Sequence, residues 1–313
     1  MTKKKIALIT GGAGFIGSNL CDYLLLKNYS LIVIDDFSTG HKSNLSSIFS
    51  KIELVEEKIE TFNFENLHGV DAVVHLAAQA SVPFSITNFG DSSCSNLIGT
   101  IRTMDFCRLR KIPFIYASSS AIYGNLSLGD DELNKIDLIT PYAADKFAME
   151  LYARTAYELY KLSSIGLRFF NVYGPRQDPS SPYSGVISIF ADKILRGHEI
   201  TINGGDQTRD FVYVRDVVRT IELAIKLAST IVICEVSNVL SGVSVSIDDL
   251  SNQMMNVAGK KVDTAYKALP AGDPEQSNGT VAKMAKLLSI EVDKFCKLNE
   301  GLHETIRHIK SQK

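Results

Sequence analysis

Tyr142 and Lys146 stand one helical turn apart in Pro141-Tyr142-Ala143-Ala144-Asp145-Lys146. That spacing puts a phenol and an ammonium on one helix face, about 6 Å apart along the axis. A free phenol titrates near pH 10, but a neighbouring cation favours its anion, so the pair suits removal of a proton from a substrate hydroxyl. Upstream, Ser119 of Ser118-Ser119-Ser120 can hydrogen-bond the same hydroxyl and share its proton. A second constellation opens the chain. Thr10-Gly11-Gly12-Ala13-Gly14-Phe15-Ile16-Gly17 reads G-x-x-G-x-x-G: Gly11 allows a tight turn, Gly14 lets bare backbone approach a pyrophosphate, and Gly17 lets a helix pack on a strand. Asp35 lies 18 residues beyond Gly17, where an acid accepts both hydroxyls of an adenosine ribose and repels a 2′-phosphate. This favours NAD over NADP, with His41 and Lys42 as the nearby cations that weigh the other way. An oxidised nicotinamide would further favour the Tyr142 phenolate, and Lys146 can also hold the nicotinamide ribose.

These groups need a scaffold, and the hydrophobic pattern supplies one. Ile6-Ala7-Leu8-Ile9, Leu31-Ile32-Val33-Ile34, Ala72-Val73-Val74-His75-Leu76, Phe114-Ile115-Tyr116-Ala117 and Ser164-Ile165-Gly166-Leu167-Arg168 read as buried strands, being short, apolar and often β-branched. Helix-length segments near 15–27, 92–111 and 141–161 separate several of them, which predicts a doubly wound α/β fold with a parallel sheet. The glycine motif then follows the first strand, and the serines end a later one at the carboxyl edge, where such sheets bind ligands. After about residue 170 the pattern loosens at Gly174-Pro175, Asp178-Pro179-Ser180-Ser181-Pro182 and Gly204-Gly205. We expect a Rossmann domain over 1–170, its sheet completed within about 210–238 by a strand at Ile231–Val236. A smaller lobe would comprise 171–209 and 239–313, closing with a packed helix from Lys294 to Lys310.

Composition narrows the classes. The chain has 313 residues, 45 % hydrophobic and 22 % charged, enough for two lobes or one large α/β unit and far from a disordered composition. Its 33 basic and 35 acidic residues give a net charge of −2, so nothing global attracts nucleic acid or anionic lipid. Cys21, Cys94, Cys107, Cys234 and Cys296 form no C-x-x-C pair, which fits a reducing cytosol better than a disulfide or zinc framework. Met1 to Lys5 is basic, but the apolar stretch after it breaks at Gly11-Gly12, too early for a signal core, and no later run reaches membrane-spanning length. His75 ends a buried strand and reads as a core or supporting group rather than a metal ligand; no metal is expected.

Taken together, the glycine motif, Ser118-Ser119-Ser120 with Tyr123-Gly124, Pro141-Tyr142 to Lys146, Arg168-Phe169-Phe170-Asn171-Val172-Tyr173-Gly174-Pro175-Arg176-Gln177-Asp178-Pro179 and Thr208-Arg209-Asp210-Phe211-Val212-Tyr213-Val214-Arg215-Asp216 resemble the extended short-chain dehydrogenase/reductases. Within them the likeness is to NAD-dependent nucleotide-sugar 4-epimerases, most closely the UDP-N-acetylglucosamine 4-epimerases. The resemblance implies that bound NAD takes a hydride from sugar C4 as Tyr142 takes the hydroxyl proton, and that the 4-keto sugar turns over before hydride returns to its other face. It implies that Phe15, Ile16, Asp36, Ile59, Leu76, Ala77, Gln79 and Asn96 join the NAD site, with Phe170 near the nicotinamide. It places Asn171, Val186, Thr201, Asn203, Arg209 and Asp273 around the nucleotide of a UDP-sugar, with Ser81 and Ser120 beside Ser119 at the sugar. Arg209 has the clearest physical role, since a guanidinium can grip diphosphate oxygens in pairs; its alternative is an ion pair with Asp210 or Asp206.

Two positions depart from that family. Lys58 stands where relatives carry an Asp beside adenine, and Leu269-Pro270-Ala271-Gly272-Asp273 lacks their second diphosphate Arg, leaving Arg209 alone or assisted by Arg176 or Lys267. Ser277 lies where epimerases restricted to plain hexoses resemble one another in carrying Tyr, so an acetamido group should fit. Rival readings are a 4,6-dehydratase, a uronate epimerase or decarboxylase acting through Arg102, Arg176 or Arg215, and a non-catalytic NAD-sensing regulator. The first lacks its acid, because Ser120-Ala121 follow Ser119 where dehydratases carry Asp-Glu. Helices near 92–111 and 145–161 carry Met104, Phe106, Phe147 and Leu151, which fit packing on the sheet and pairing with a second copy equally well; the resemblance implies the latter, since relatives use the matching helices to form homodimers.

Overall fold

Five short apolar runs become strands because each is buried on both faces and too short to close a stable helix. In the computed structural model, which describes residues 4–133, 135–181, 184–270 and 273–312, the chain runs β1 (Ile6–Thr10), α1 (Phe15–Leu26), β2 (Ser30–Ile34), β3 (Ile52–Val55), β4 (Ala72–His75), α2 (Val82–Thr87), α3 (Phe89–Ser93), α4 (Gly99–Arg110), β5 (Phe114–Ser119), α5 (Pro141–Tyr160) and β6 (Ser164–Phe169). It continues through β7 (Asn171–Tyr173), α6 (Val186–Arg196), β8 (Ile200–Asn203), β9 (Thr208–Tyr213), α7 (Val214–Thr230), β10 (Cys234–Val239), β11 (Ser244–Ser246), α8 (Ile247–Ala258), β12 (Thr264–Lys267), β13 (Gln276–Ser277), α9 (Ala282–Leu288) and α10 (Leu298–Ser311).

The main sheet has the order β10-β6-β5-β4-β1-β2-β3. β1 pairs in parallel with β2 on one side and β4 on the other, so the winding reverses there. Such a switch point leaves a crevice at the carboxyl ends of the two strands, where Gly11 and Leu76 follow. Leu8, Val73, Phe114, Tyr116 and Met149 lie in the core beneath, each buried side chain contributing roughly 1.5–3 kcal/mol. α5 starts cleanly because Thr140 accepts from the Ala143 amide at 3.2 Å and Pro141 occupies the first helical position.

Contacts divide the chain into two units. The first comprises 1–122, 140–168 and 218–237; the second 123–139, 169–217 and 238–313. In the second, β9 is flanked by β11 and β13 and also pairs with β7, while β8 and β12 form a two-stranded sheet. Helices α6, α8 and α10 pack on one another.

The α/β expectation holds, and several boundaries move. Residues 123–139, expected in the first domain, join the second unit because Gly129 exchanges backbone hydrogen bonds with Asn278 and Thr280 and the Tyr123 hydroxyl donates to Asn238. Residues 210–217 join it because β9 is the centre of its sheet. The strand expected at 231–236 runs 234–239 instead, since Ser163 ties down Ile231 and Ile233 as a connection. The last helix begins at Leu298 because the Cys296 amide is held by Asp216. The segment expected as one helix over 92–111 carries a π-helical turn at Cys94–Ile98 before α4. Met104 and Phe106 face the core and are not available to a partner. Met1–Lys3, Pro182, Ala271 and Gly272 lie outside the described residues.

The Tyr116 hydroxyl is buried without a hydrogen-bond partner, which costs about 1–3 kcal/mol. Tyr116→Phe should therefore raise the unfolding free energy by about 1 kcal/mol, read as a higher urea midpoint at unchanged slope.

Candidate active site

The glycine loop is shaped by what it excludes. Gly11 adopts φ +71°, and a Cβ there would lie 2.6 Å from the Ala77 amide; at Gly17 it would lie 2.1 Å from the Gly11 carbonyl. Both glycines are thus required by the protein itself. Gly14 differs: a Cβ would meet only the Gly11 oxygen, at 3.3 Å, and would otherwise project into the pocket. That is bare backbone at the amino end of α1, whose first turn carries no acid, a cradle for phosphate.

The pocket is lined by Gly11, Gly14, Asp35, Asp36, Ile59, Leu76, Ala77 and Gln79, together with Lys58 and the unanticipated Ser38, Thr39 and Gly40. Asp35 accepts from the Ala13 and Phe37 amides at 2.8 and 2.9 Å. Burial raises its pKa, and those two amides pull it back. Each carboxylate oxygen keeps accepting capacity for a ribose hydroxyl, so the donor set fits a dinucleotide. Phe15, Ile16 and Gly17 belong to the first turn of α1 rather than to the pocket lining.

Asn96 is also absent from the lining. It is 1 % exposed, accepts from the Gln79 amide at 2.8 Å, and donates to the Gln79 carbonyl at 3.2 Å and to Asp145 at 3.2 Å. Its connection to the pocket runs through Gln79. Ser81 caps α2 by accepting from the Phe84 amide at 3.0 Å, and its own amide donates to the Gln79 side chain.

The first unit brings Ser119, Tyr142 and Lys146 together. Ser119 closes β5 and accepts from the Ala121 amide at 3.1 Å, while Ser120 starts a short 3₁₀ turn. Burial raises the Tyr142 phenol, its hydrogen bond with Ser119 lowers it, and Asp145 raises it. Lys146 is 2 % exposed and donates to the Ala117 carbonyl at 2.8 Å. Its ammonium lies 5.7 Å from the Tyr142 ring centre. Burial pulls Lys146 down to about 8, against the opposing pull of Asp145.

In the second unit, Arg209 donates to Asp273 at 2.6 Å and to the Thr208 carbonyl at 2.8 Å. Its ion-pair partner is therefore Asp273, not Asp210, which instead accepts from Ser241 and Gly242. Ser277 is the register partner of Arg209 across β13 and β9. Asn171 donates to the Asp210 carbonyl, Val186 opens α6, and Thr201 and Asn203 lie on β8. Lys267, on β12, is the register partner of Asn203. Phe170 packs with Tyr123 and Leu240. Sequence reasoning missed Glu150 and Arg168, which share a buried ion pair; the signal was an acid four residues after Lys146 on the same helix face.

No helix among the described residues is long and apolar enough to cross a membrane, and no cluster of possible metal ligands occurs among them. The sequence profile of the NAD dependent epimerase/dehydratase family matches residues 7–239. A putative UDP-glucose 4-epimerase of Methanocaldococcus jannaschii is 34 % identical over 312 residues, covering 97 % of this chain and 98 % of that protein. The crystal structure of the UDP-N-acetylglucosamine 4-epimerase of Methanobrevibacter ruminantium in complex with UDP-N-acetylmuramic acid superposes with a TM-score of 0.93 at 33 % identity, covering 100 % of both chains. That of Thermus thermophilus UDP-glucose 4-epimerase in complex with NAD gives 0.86 at 29 %, covering 97 % of this chain and 99 % of the other.

The Lys146 shift sets a stability test. The unfolded chain keeps this proton to about 10.5 and the fold only to about 8, so stability contributed at this site rises with pH across that window. Below it, burial of the charge costs on the order of 3 kcal/mol, against about 1 kcal/mol for an Ala117 carbonyl left without its donor. Lys146→Met should melt above wild type near neutral pH, with the gap closing as pH approaches 10.5, measured by calorimetry across that range.

Proposed function

The chain belongs to the NAD dependent epimerase/dehydratase family, whose cofactor is NAD, and we propose that it interconverts UDP-N-acetylglucosamine and UDP-N-acetylgalactosamine at C4, accepting UDP-glucose and UDP-galactose as well. The observation that carries this reading is the convergence of Ser119, Tyr142 and Lys146 at the end of β5, with Ser120-Ala121 next in the chain and no carboxylate there to expel a C6 hydroxyl.

Bound NAD would supply reversible uptake of the C4 hydride. Ser119 holds the C4 hydroxyl. The Tyr142 hydroxyl oxygen takes its proton as the ketone forms and returns it as the alcohol is restored, so each turnover leaves atoms and electrons unchanged. Lys146 holds the nicotinamide ribose and biases Tyr142 toward phenolate. Asp35 holds the adenosine ribose, and the amides after Gly14 hold the pyrophosphate. In the second unit Arg209 serves the substrate diphosphate, with Asn171, Val186, Thr201, Asn203 and Asp273 about the nucleotide, and Ser277 leaves room for an acetamido group.

Incubation with UDP-N-acetylglucosamine and no added NAD, followed by chromatographic separation of C4 epimers, should yield the galacto epimer. Ser277→Tyr should cut that turnover at least about tenfold while sparing the plain hexose pair. Equal loss on both pairs would refute the assignment of Ser277.

We further propose a homodimer through the helix faces that expose Ile98, Leu109, Leu151, Tyr152, Leu159 and Tyr160. Light scattering should give twice the chain mass, and Leu151→Glu with Leu159→Glu should give one chain mass.

A further inference from the structure

Glu150 has no part in the proton and hydride chemistry, yet it is 7 % exposed. It lies four residues beyond Lys146 and eight beyond Tyr142 on α5, on the face those residues share. The Ser118 hydroxyl donates to its Oε1 at 2.5 Å. Arg168, on β6, donates through Nε to the same oxygen at 2.9 Å and through Nη2 to Oε2 at 2.6 Å. One turn earlier, Lys146 donates to the carbonyl of Ala117, the residue before Ser118. Successive turns of α5 are therefore pegged to successive residues of β5, and Ser119 is the next residue along.

A buried ion pair is a poor stability device, since well-packed apolar residues often replace it without loss. What a two-pronged guanidinium–carboxylate contact supplies is direction. We propose that Glu150 and Arg168 are positioning residues: their pairing, with Ser118, fixes the rotation of α5 about its axis and so the reach of Tyr142 and Lys146 toward the atom held by Ser119. The carboxylate is held by Arg168 from β6 and by Ser118 from β5, while the nearby Tyr116 hydroxyl makes no hydrogen bond to it. The inference rests on the reading of Tyr142 and Lys146 as the reacting pair.

The test compares Arg168→Lys, which keeps the charge but loses the fork, with the double variant Glu150→Leu and Arg168→Met, which removes both charges. The double variant should melt within about 3 °C of wild type or above it. Its kcat should fall about 100-fold with KM for the UDP-sugar unchanged, the scale of a displacement of about 1 Å at a reacting group. Amide exchange over residues 141–150 should quicken about tenfold as the local opening free energy drops. Arg168→Lys should lower kcat at least about tenfold at unchanged KM. A role in folding alone predicts that kcat recovers with stability, and either that recovery or wild-type kcat in Arg168→Lys overturns the proposal. If wild-type protein turns over no UDP-sugar, the functional reading fails by itself. Exchange in the double variant then decides the clamp, and wild-type exchange rates overturn it.

Discussion

An ammonium withdrawn from water must be met by fixed dipoles, and Lys146, 2 % exposed, sets that demand for the whole first unit. An isolated charge in such a place would shed its proton or unfold the segment around it. The Ala117 carbonyl answers the demand at 2.8 Å. It is available because the β4–β5 register ends one residue earlier, at His75 and Tyr116. Asp145, the adjacent residue, opposes the loss of charge and also accepts from Asn96, which holds Gln79 through both its amide and its carbonyl. The polar chain that begins on α5 thus ends in the wall of the pocket that Gln79 lines. A displacement of α5 would be felt at Gln79 as well as at Tyr142.

A second polar chain joins the glycine loop to the same region. The Ala77 amide donates to the Thr10 hydroxyl, and the Thr100 hydroxyl donates to the Asn96 carbonyl. His75 lies between those threonines, 2.8 Å from one through Nδ1 and 3.0 Å from the other through Nε2. Because each threonine proton is directed, the network assigns Nε2 as the protonated nitrogen and Nδ1 as the acceptor. Burial first, and Lys146 second, hold the imidazole neutral, down to about 3. His75 therefore keeps one tautomer across the working range and ties β1 to β4 at the point where the winding reverses.

How much of this was legible follows from which signals are local. The glycine spacing and Asp35 are read along the chain because one loop and one strand end carry them, and Tyr142, Lys146 and Ser119 because a helical turn and a strand terminus do. Asn96 lies behind the pocket lining rather than in it: sequence does not reveal that a side chain spends its hydrogen bonds on Gln79, Ser92 and Asp145. Arg209 is expected at a diphosphate, with nearby Asp210 or Asp206 as the alternative ion-pair partner, whereas its ion pair runs to Asp273, 64 residues away. β3 was missed because Ile52-Glu53-Leu54-Val55 is half-buried at a sheet edge, where the continuous apolar signal of a central strand is absent. Residues 123–139 joined the second unit through backbone bonds at Gly129, which no side-chain pattern records.

The opposite directions in which burial moves Tyr142 and Lys146 explain why neither would suffice alone in the proposed reaction. Burial raises the Tyr142 phenol and lowers the Lys146 ammonium, so desolvation by itself favours the two neutral side chains over phenolate and ammonium. At 5.7 Å from the ring centre, the ammonium alone does not reverse that balance. The hydrogen bond from Ser119 is the contribution that lowers the phenol, and it is geometric, falling steeply with misalignment. A base built this way is weak until a further positive charge lies beside it, which the oxidised but not the reduced state of the family's cofactor provides. On the proposed function, Tyr142 would be a base when a hydride can be accepted and an acid when one can be returned, and the protein's share in that reversal would be to hold Ser119, Tyr142 and Lys146 in fixed register.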